Sequence, residues 1–262
     1  MPTSVETARS VTRGLGMGAL TLGMLGIVTL HQRLAGPELQ RQVFQRWMQH
    51  WADLLLRLFG VDCAVLGTLP PSAAGARLVV ANHRSPIDIL LLLKLFGGVV
   101  LSRGDLARWP LLGLAARRAE TIFVDRDDAM SGVLAVRALR NRLANDNTVI
   151  VFPEGTTLAG DEVRPFQQGA FAAARGLSVE IVPVGIAYQA GSEFLDESFM
   201  AHVARMAQRP MTRVACAVGD ARPMPGSRKG LSDGLRNEVQ QLVNRARSAL
   251  HAGHASHDGR ST

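Results

Sequence analysis

Residues 78–88 of the chain read Leu-Val-Val-Ala-Asn-His-Arg-Ser-Pro-Ile-Asp, a short apolar run followed by a polar loop. The run is typical of a buried strand, and Ser85 followed by Pro86 is typical of the first residues of a helix. His83 and Asp88 therefore stand between the end of a strand and the start of a helix. Open α/β sheets bind ligands at the carboxyl ends of their strands. The stretch predicts both an α/β fold and the place of its functional site.

The spacing of His83 and Asp88 allows two interpretations. A carboxylate bonded to one ring nitrogen fixes the tautomer of an imidazole, so that the other nitrogen can take a proton. With no serine or cysteine nucleophile at a nearby elbow, such a pair suits a general base that activates a substrate hydroxyl. Alternatively, Asp88 completes a capping box with Ser85, and His83 is an ordinary loop residue.

Two further strand ends carry candidate binding residues. After the apolar run 149–152 come Glu154, Gly155 and Thr156. The carboxylate suits a substrate hydroxyl and the backbone amides suit phosphate oxygens, although an ordinary turn with an N-capping threonine fits as well. After the run 121–124 comes Arg126, which suits either a phosphate clamp or a solvated cluster with its acidic neighbours.

Strands and helices alternate along residues 61–250, which predicts one α/β layered domain with a mostly parallel sheet flanked by helices. The buried run 180–188 contains Pro183 and Gly185, which favour an edge strand or a bulge that shapes a wall of the site. Residues 251–262 are polar and are expected to form a disordered tail. The predicted strands are 62–66, 78–81, 99–102, 121–124, 148–152, 180–188 and 213–218, and the predicted helices are 86–95, 129–144, 167–175, 193–208 and 231–250.

Residues 1–60 are expected to associate with a membrane. Residues 14–30 contain no charge and are flanked by arginines. This length predicts a transmembrane span first and a membrane-dipping helix second, with a cleaved signal peptide as the alternative. Residues 38–59 have the period of an amphipathic helix with two tryptophans, which packs on the core or lies on lipid.

The charge and cysteine content narrow the classes of partner. The 29 basic residues outnumber 22 acidic ones and include only two lysines. Arginine-rich chains suit phosphate, carboxylate or anionic membrane partners. A nucleic-acid partner is not expected, because the arginines are not clustered with interleaved aromatic residues. Two distant cysteines exclude a disulfide scaffold and a zinc finger.

The order of the motifs is more specific than any one of them. His-x₄-Asp, Phe-Val-Asp-Arg, Phe-Pro-Glu-Gly-Thr and Val-Pro-Val-Gly follow one another between about residues 77 and 188. This order resembles the glycerolipid acyltransferase family, and within it the bacterial 1-acyl-sn-glycerol-3-phosphate acyltransferases. Further similar segments are Ser-Arg-Gly-Asp-Leu at 102–106 and Arg-Pro-Phe-Gln-Gln-Gly-Ala-Phe at 164–171.

The resemblance implies a role for each motif residue. His83 would deprotonate the acceptor hydroxyl, Asp88 would orient it, and Arg126 would hold a phosphate. Glu154, Gly155 and Thr156 would line the acceptor site, and Arg103 would keep a positive charge where the family commonly has lysine. The acyl donor would be a thioester on coenzyme A or acyl carrier protein. No cofactor, no metal and no covalent acyl-enzyme are expected.

Three positions depart from the family pattern and concern the acceptor. Thr157 stands where arginine is frequent, and Gln167 and Gln168 stand where basic residues are usual. The Glu-Gly-Thr-Thr variant looks like the branch that acylates lyso-ornithine lipids.

The predicted function is acyl transfer to a lysophospholipid, first 1-acyl-sn-glycerol-3-phosphate to give phosphatidic acid, at the cytoplasmic face of the bacterial inner membrane. The alternatives are a lyso-ornithine lipid or another lysolipid as acceptor, and a non-catalytic lipid-binding membrane protein.

Overall fold

The computed structural model describes residues 2–36, 39–71, 75–103, 113, 121–124, 129–195, 197–225 and 230–258. The helices in these ranges are α1 (Ser4–Leu34), α2 (Gln40–Leu58), α3 (Ile87–Phe96), α4 (Ala129–Ala144), α5 (Gly169–Ala173), α6 (Phe199–Gln208) and α7 (Leu231–Asp258). The strands are β1 (Val61–Leu66), β2 (Ala76–Ala81), β3 (Val99–Arg103), β4 (Ile122–Val124), β5 (Thr148–Val151), β6 (Val179–Tyr188), β7 (Thr212–Val218) and β8 (Arg222–Pro223). The predicted α/β architecture is confirmed.

The described strands form one mixed sheet in the order β1-β7-β6-β2-β5-β3-β4, with β8 paired to β6. Strands β2 to β6 run in one direction, while β1 and β7 run parallel to each other and antiparallel to β6. Every residue of β2 is buried, as expected for a central parallel strand covered on both faces. The carboxyl end of β2 therefore lies between β6 and β5, and from this end the chain continues into His83.

Strand β6 is central, so the prediction of an edge strand or bulge at Pro183 and Gly185 is wrong. On one side β6 pairs with β2, and on the other it pairs first with β8 at residues 180–181 and then with β7 from Val184. Pro183 lies at this changeover, where the ladder is interrupted. A Cβ at Gly185 would collide with the backbone of Leu242 and Val243, so the glycine lets α7 approach the sheet closely.

Helices α1 and α2 are part of the main core and do not form a separate layer. Met24 and Val28 of α1 are buried beside Trp51 and Leu55 of α2, in the same cluster as Val79 of β2. The indole nitrogen of Trp51 donates a buried hydrogen bond of 3.2 Å to Thr21 Oγ1. Packing is therefore continuous across residue 60, where the sequence suggested a division.

Two helix boundaries differ from the sequence-based predictions. Helix α6 begins six residues later than predicted, because the hydroxyl of Ser198 accepts a hydrogen bond of 3.2 Å from the backbone nitrogen of Ala201 and caps the helix there. Helix α7 continues to Asp258, so the prediction of a disordered tail from residue 251 is wrong for residues 251–258. Its buried residues, such as Leu235 and Val239, pack on the sheet and support the long helix.

Candidate active site

His83 and Asp88 meet at the junction of β2 and α3. The Nδ1 atom of His83 lies 2.8 Å from Oδ2 of Asp88, whose side chain is fully buried. A carboxylate at this distance accepts the Nδ1 proton, so Nε2 is the nitrogen left to act as a base. The imidazole ring stacks on Phe152 with a centroid distance of 4.1 Å and is 15% exposed. The ring is therefore held in place and remains accessible to a substrate.

Asp88 contacts both His83 and the loop before α3. Besides facing His83, its Oδ2 atom accepts hydrogen bonds from the backbone nitrogens of Arg84 at 2.6 Å and Ser85 at 2.9 Å. These bonds shape the loop before α3, as a helix cap does. The same carboxylate thus holds the loop and faces the histidine, because the loop folds back over the first turn of α3.

Tyr188 completes the surroundings of Asp88. Its hydroxyl donates a buried hydrogen bond of 2.6 Å to Oδ1 of Asp88. Burial, and next the nearby Asp88 charge, raise the pKa of Tyr188 well above its ordinary value, so the phenol remains a neutral donor. The sequence analysis missed this residue, although its position at the end of the predicted strand 180–188 is a usable signal.

Glu154 holds the His83 loop through buried hydrogen bonds. Its Oε2 atom accepts from the backbone nitrogen of His83 at 2.7 Å and from Arg84 Nη1 at 2.8 Å, while Oε1 accepts from the backbone nitrogen of Arg164 at 2.9 Å. Both oxygens are thus used by the protein, and the side chain is fully buried. Glu154 therefore holds the His83 loop, and its predicted contact with substrate stays a prediction.

Arg84 is the partner of Glu154 and is 2% exposed. Its guanidinium also donates to the backbone oxygens of His83, Gly160 and Glu162 at 2.6–2.8 Å. The ion pair and these bonds join the loop after β2 to the loop after β5. The sequence analysis did not single out Arg84, because nothing local distinguishes it from the other arginines of the chain.

Gly155 and Thr156 lie beside this brace. Gly155 has a positive φ of 76°, and a Cβ there would collide with the side-chain amide of Gln167. Gln167, one of the departures noted in the sequence, therefore covers the Gly155 backbone. Thr156 is exposed, and its hydroxyl is 3.5 Å from the backbone oxygen of Thr157.

Two predicted binding residues are not placed by the structure. Arg126 lies outside the described residues. Arg103 is the last residue of β3, on the same sheet, and its side chain is also outside the described part. Their predicted contacts with substrate stay predictions.

A second histidine adjoins the loop through Ser85. His202 of α6 is buried, and its Nε2 atom lies 3.0 Å from Oγ of Ser85. Its Nδ1 atom lies 2.9 Å from Oε1 of Glu197 and 3.0 Å from Nη2 of Arg205. Burial lowers the pKa of His202, which favours its neutral form. The sequence assigned His202 to a helix without a role, because its partner is 117 residues away.

An apolar cavity of about 150 Å³, open to solvent, begins beside this loop. Its lining is almost entirely hydrocarbon and comes from α1, α2, α3 and α6, with Pro86 and Ile87 at the loop. The shape and chemistry suit a long aliphatic chain. In the described part of the chain, no group of three or more His, Cys, Asp or Glu side chains is arranged to hold a metal ion.

The comparisons with known proteins agree with the geometry. Residues 67–187 match a family model described as Acyltransferase. A lyso-ornithine lipid O-acyltransferase of Pseudomonas aeruginosa is 34% identical over 203 residues, 74% of this chain and 76% of that protein. A 1-acyl-sn-glycerol-3-phosphate acyltransferase of Helicobacter pylori is 30% identical over 130 residues, 48% of this chain and 54% of that protein.

A solved structure shares the fold. The crystal structure of PlsC, the 1-acyl-sn-glycerophosphate acyltransferase of Thermotoga maritima, superposes with a TM-score of 0.66. The match covers 90% of this chain and 98% of that one, at 21% sequence identity.

Proposed function

Because this chain belongs to the glycerolipid acyltransferase family, we propose that it transfers a fatty acyl group from a thioester to the free hydroxyl of a lysolipid. The observation that carries the proposal is the His83–Asp88 pair, with 2.8 Å between Nδ1 and Oδ2. The loop that holds the pair continues into Pro86 and Ile87, which line an apolar cavity. The proposed donor is acyl-CoA or acyl-acyl carrier protein, and no resident cofactor takes part.

The geometry supports a direct transfer mechanism. Nε2 of His83 takes the proton of the acceptor hydroxyl while the oxygen attacks the thioester carbonyl carbon. Asp88 stabilises the imidazolium that forms and keeps the ring oriented. The tetrahedral intermediate collapses with cleavage of the C–S bond, and the thiolate leaves and takes up the proton. The acyl chain lies in the apolar cavity throughout this step.

The proposed acceptor is a lyso-ornithine lipid, which reverses the order suggested by the motifs alone. The P. aeruginosa relative that bears this activity in its name matches over three quarters of its length. The Gly155 loop carries Thr156 and Thr157, and the neutral amide of Gln167 covers it. A hydroxyl on an acyl chain needs no phosphate clamp at this loop.

The second candidate acceptor is 1-acyl-sn-glycerol-3-phosphate, which would give phosphatidic acid. The H. pylori relative supports it, although the match spans about half of that protein. Arg126 and Arg103 are the proposed cations for this acceptor's phosphate.

The proposed location is the cytoplasmic face of the bacterial inner membrane, where the thioester donors are. Helix α1 is long and apolar enough to cross a bilayer, with a mean hydropathy of 1.5. However, its Arg13 donates to the backbone oxygens of Ala207 and Arg209, and Val28 is buried. One face of α1 therefore packs on the domain along the helix. For this reason a helix that dips into the membrane fits better than a full span.

A reconstituted assay tests the proposal. Purified protein is incubated with labelled acyl-CoA and either lyso-ornithine lipid or 1-acyl-sn-glycerol-3-phosphate, and the lipid products are separated. We expect His83→Ala to lower kcat by about 10²–10⁴-fold and Asp88→Asn to lower it as well. The control is His251→Ala, which changes an exposed histidine of α7.

The assay tests the choice of acceptor and the general-base mechanism separately. Preferential acylation of 1-acyl-sn-glycerol-3-phosphate would replace the proposed acceptor. Near-normal turnover by folded His83→Ala and Asp88→Asn would reject the general-base mechanism, since the pair would then be only a capped loop.

A further inference from the structure

We propose that Tyr188 is a positioning residue for the acyl transfer proposed above: its hydroxyl fixes Asp88 and limits how tightly Asp88 holds the proton on His83. Tyr188 ends β6 and is 1% exposed. It is also the only tyrosine of the chain, which makes it open to selective chemical change.

The two oxygens of Asp88 have different partners. Oδ2 faces His83 and accepts from the backbone nitrogens of Arg84 and Ser85. Among the described residues, the Tyr188 hydroxyl donates to Oδ1, at 2.6 Å. Loss of that hydroxyl leaves Oδ1 buried without its donor. The carboxylate charge is then balanced mainly through Oδ2, the atom that faces the imidazole.

The position of Tyr188 is fixed by its backbone. Tyr188 pairs with Val214 in the sheet, and its backbone oxygen accepts a 2.7 Å hydrogen bond from Arg247 of α7. Arg247 is itself paired with Asp161, in the loop that Arg84 also contacts. The hydroxyl therefore reaches Asp88 from a rigid strand end that is tied to the remainder of the site.

Other buried ionisable groups lie near the pair. Burial raises the pKa of the Cys63 thiol to about 11 and raises the pKa of the Cys216 thiol well above its ordinary value, so both thiols are protonated near neutral pH. Burial lowers the pKa of His202, which favours its neutral form. Among the described residues, the ionisable groups near Asp88 and Tyr188 include His83 and Arg84 of the loop, Cys63 of β1, Cys216 of β7, His202 of α6 and Arg247 of α7.

The contacts predict the direction of a pH effect. A hydrogen bond to a carboxylate stabilises its charge, so removing the Tyr188 hydroxyl makes protonated His83 a better partner for Asp88. His83 then keeps its proton to higher pH. The acid limb of the kcat/KM profile should move to higher pH by roughly 0.5–1 pH unit. The reason is that part of the free energy of one charged hydrogen bond then acts on the interaction between Asp88 and the imidazole.

The first experiment compares wild type with Tyr188→Phe by the pH profile of kcat/KM and by NMR titration of the His83 imidazole. We expect an upward shift in both, about a tenfold lower kcat, and an unchanged acceptor KM. The control is Glu238→Gln, which breaks the Arg222–Glu238 pair beside β8, at the other end of β6. The Glu238→Gln variant should have the acid limb of its kcat/KM profile at the same pH as wild type.

The second experiment replaces the single tyrosine with 3-fluorotyrosine, which keeps the fold and makes the phenol a stronger donor. The His83 titration and the acid limb should then move to lower pH, opposite to the shift in Tyr188→Phe. This variant keeps the proposal testable if Tyr188→Phe does not fold.

The NMR titration also separates this proposal from the proposed function, since it needs no turnover. An imidazole titration unchanged by fluorination, or unchanged in folded Tyr188→Phe, overturns the positioning role. Opposite shifts in the two variants without any acyl transfer would support the positioning role and reject only the proposed reaction.

Discussion

At the residue scale, the pair formed by Arg84 and Glu154 is the main support of the loop that carries His83. Both side chains are almost completely buried, and together they make hydrogen bonds to backbone atoms of four residues, His83, Gly160, Glu162 and Arg164. A buried charge left without its partner is strongly unfavourable, whereas exposed ion pairs contribute little. The pair therefore couples the stability of the protein to the geometry of the site.

Glu154→Gln should lower the free energy of unfolding by about 3–5 kcal/mol, because it leaves the buried Arg84 charge uncompensated. Urea denaturation followed by circular dichroism measures the change. The control is Arg57→Gln, which removes the exposed pair with Asp53 and should cost only about 0.2–1 kcal/mol. Equal small losses in both variants would show that Glu154 is not a structural brace.

His202 gives the protein a pH-dependent stability. Burial lowers its folded-state pKa below the ordinary value of 6.5. Below pH 6.5 the unfolded chain therefore binds a proton at this residue more readily than the folded chain. The contribution of neutral His202 is complete above the unfolded pKa and is lost as the pH falls through the folded pKa.

The unfolding free energy of wild type should therefore fall more steeply than that of His202→Gln between about pH 7 and about pH 5. Denaturation of both proteins at several pH values measures the two slopes, and their difference isolates His202 from the other titrating groups. Parallel slopes would contradict the predicted effect.

At the element scale, α1 has two apolar faces with different partners. One face, which includes Met24 and Val28, is buried in the core. Leu15, Leu22 and Leu30 are 60–72% exposed and lie on the other side. An exposed apolar face on an arginine-flanked helix is typical of an element that contacts lipid.

Replacing Leu15, Leu22 and Leu30 with glutamate should weaken binding to lipid vesicles by more than about 100-fold, since each leucine contributes about 1.5–3 kcal/mol when buried. Vesicle flotation measures the bound fraction. Three added charges on exposed positions of α7, in Gln241→Glu, Ser248→Glu and His251→Glu, provide the control and should leave most of the binding intact. Equal binding of the two triple variants would rule out this face of α1 as the membrane contact.

At the scale of the whole molecule, the N-terminal helices and the sheet share one core. Met24 of α1, Leu55 of α2 and Val182 of β6 belong to the same buried cluster. Removal of residues 1–60 would expose this core to water. Such a deletion is therefore a poor test of membrane binding, because loss of folding and release from the membrane would coincide.

Met24→Ala should lower the free energy of unfolding of the entire protein by about 2–5 kcal/mol and preserve a single transition. Calorimetry in one detergent shows both quantities. Val11→Ala, at a 57% exposed position of the same helix, should change stability by about 0.5 kcal/mol or less. A separate early transition in Met24→Ala would mean that the helices fold independently of the sheet.

The sequence by itself determined the features that depend on neighbouring residues. Alternating apolar runs and helical periods predicted the α/β sheet, and the His-x₄-Asp spacing predicted the pair at the β2–α3 junction. Such features are local, since a cap or a histidine partner is reached within one helical turn. The motif order, read as a family resemblance, supplied the expected chemistry.

Only the tertiary structure decided which distant residues support that pair. Tyr188 is 100 residues from Asp88, and Glu154 is 70 residues from Arg84. These contacts depend on β6 and β5 lying on either side of β2, and strand order leaves no mark in local periodicity. For the same reason, the sequence placed Pro183 at an edge or bulge and did not reveal the contacts of Glu154 with the His83 loop. The sheet instead makes β6 central and directs the Glu154 carboxylate into the protein.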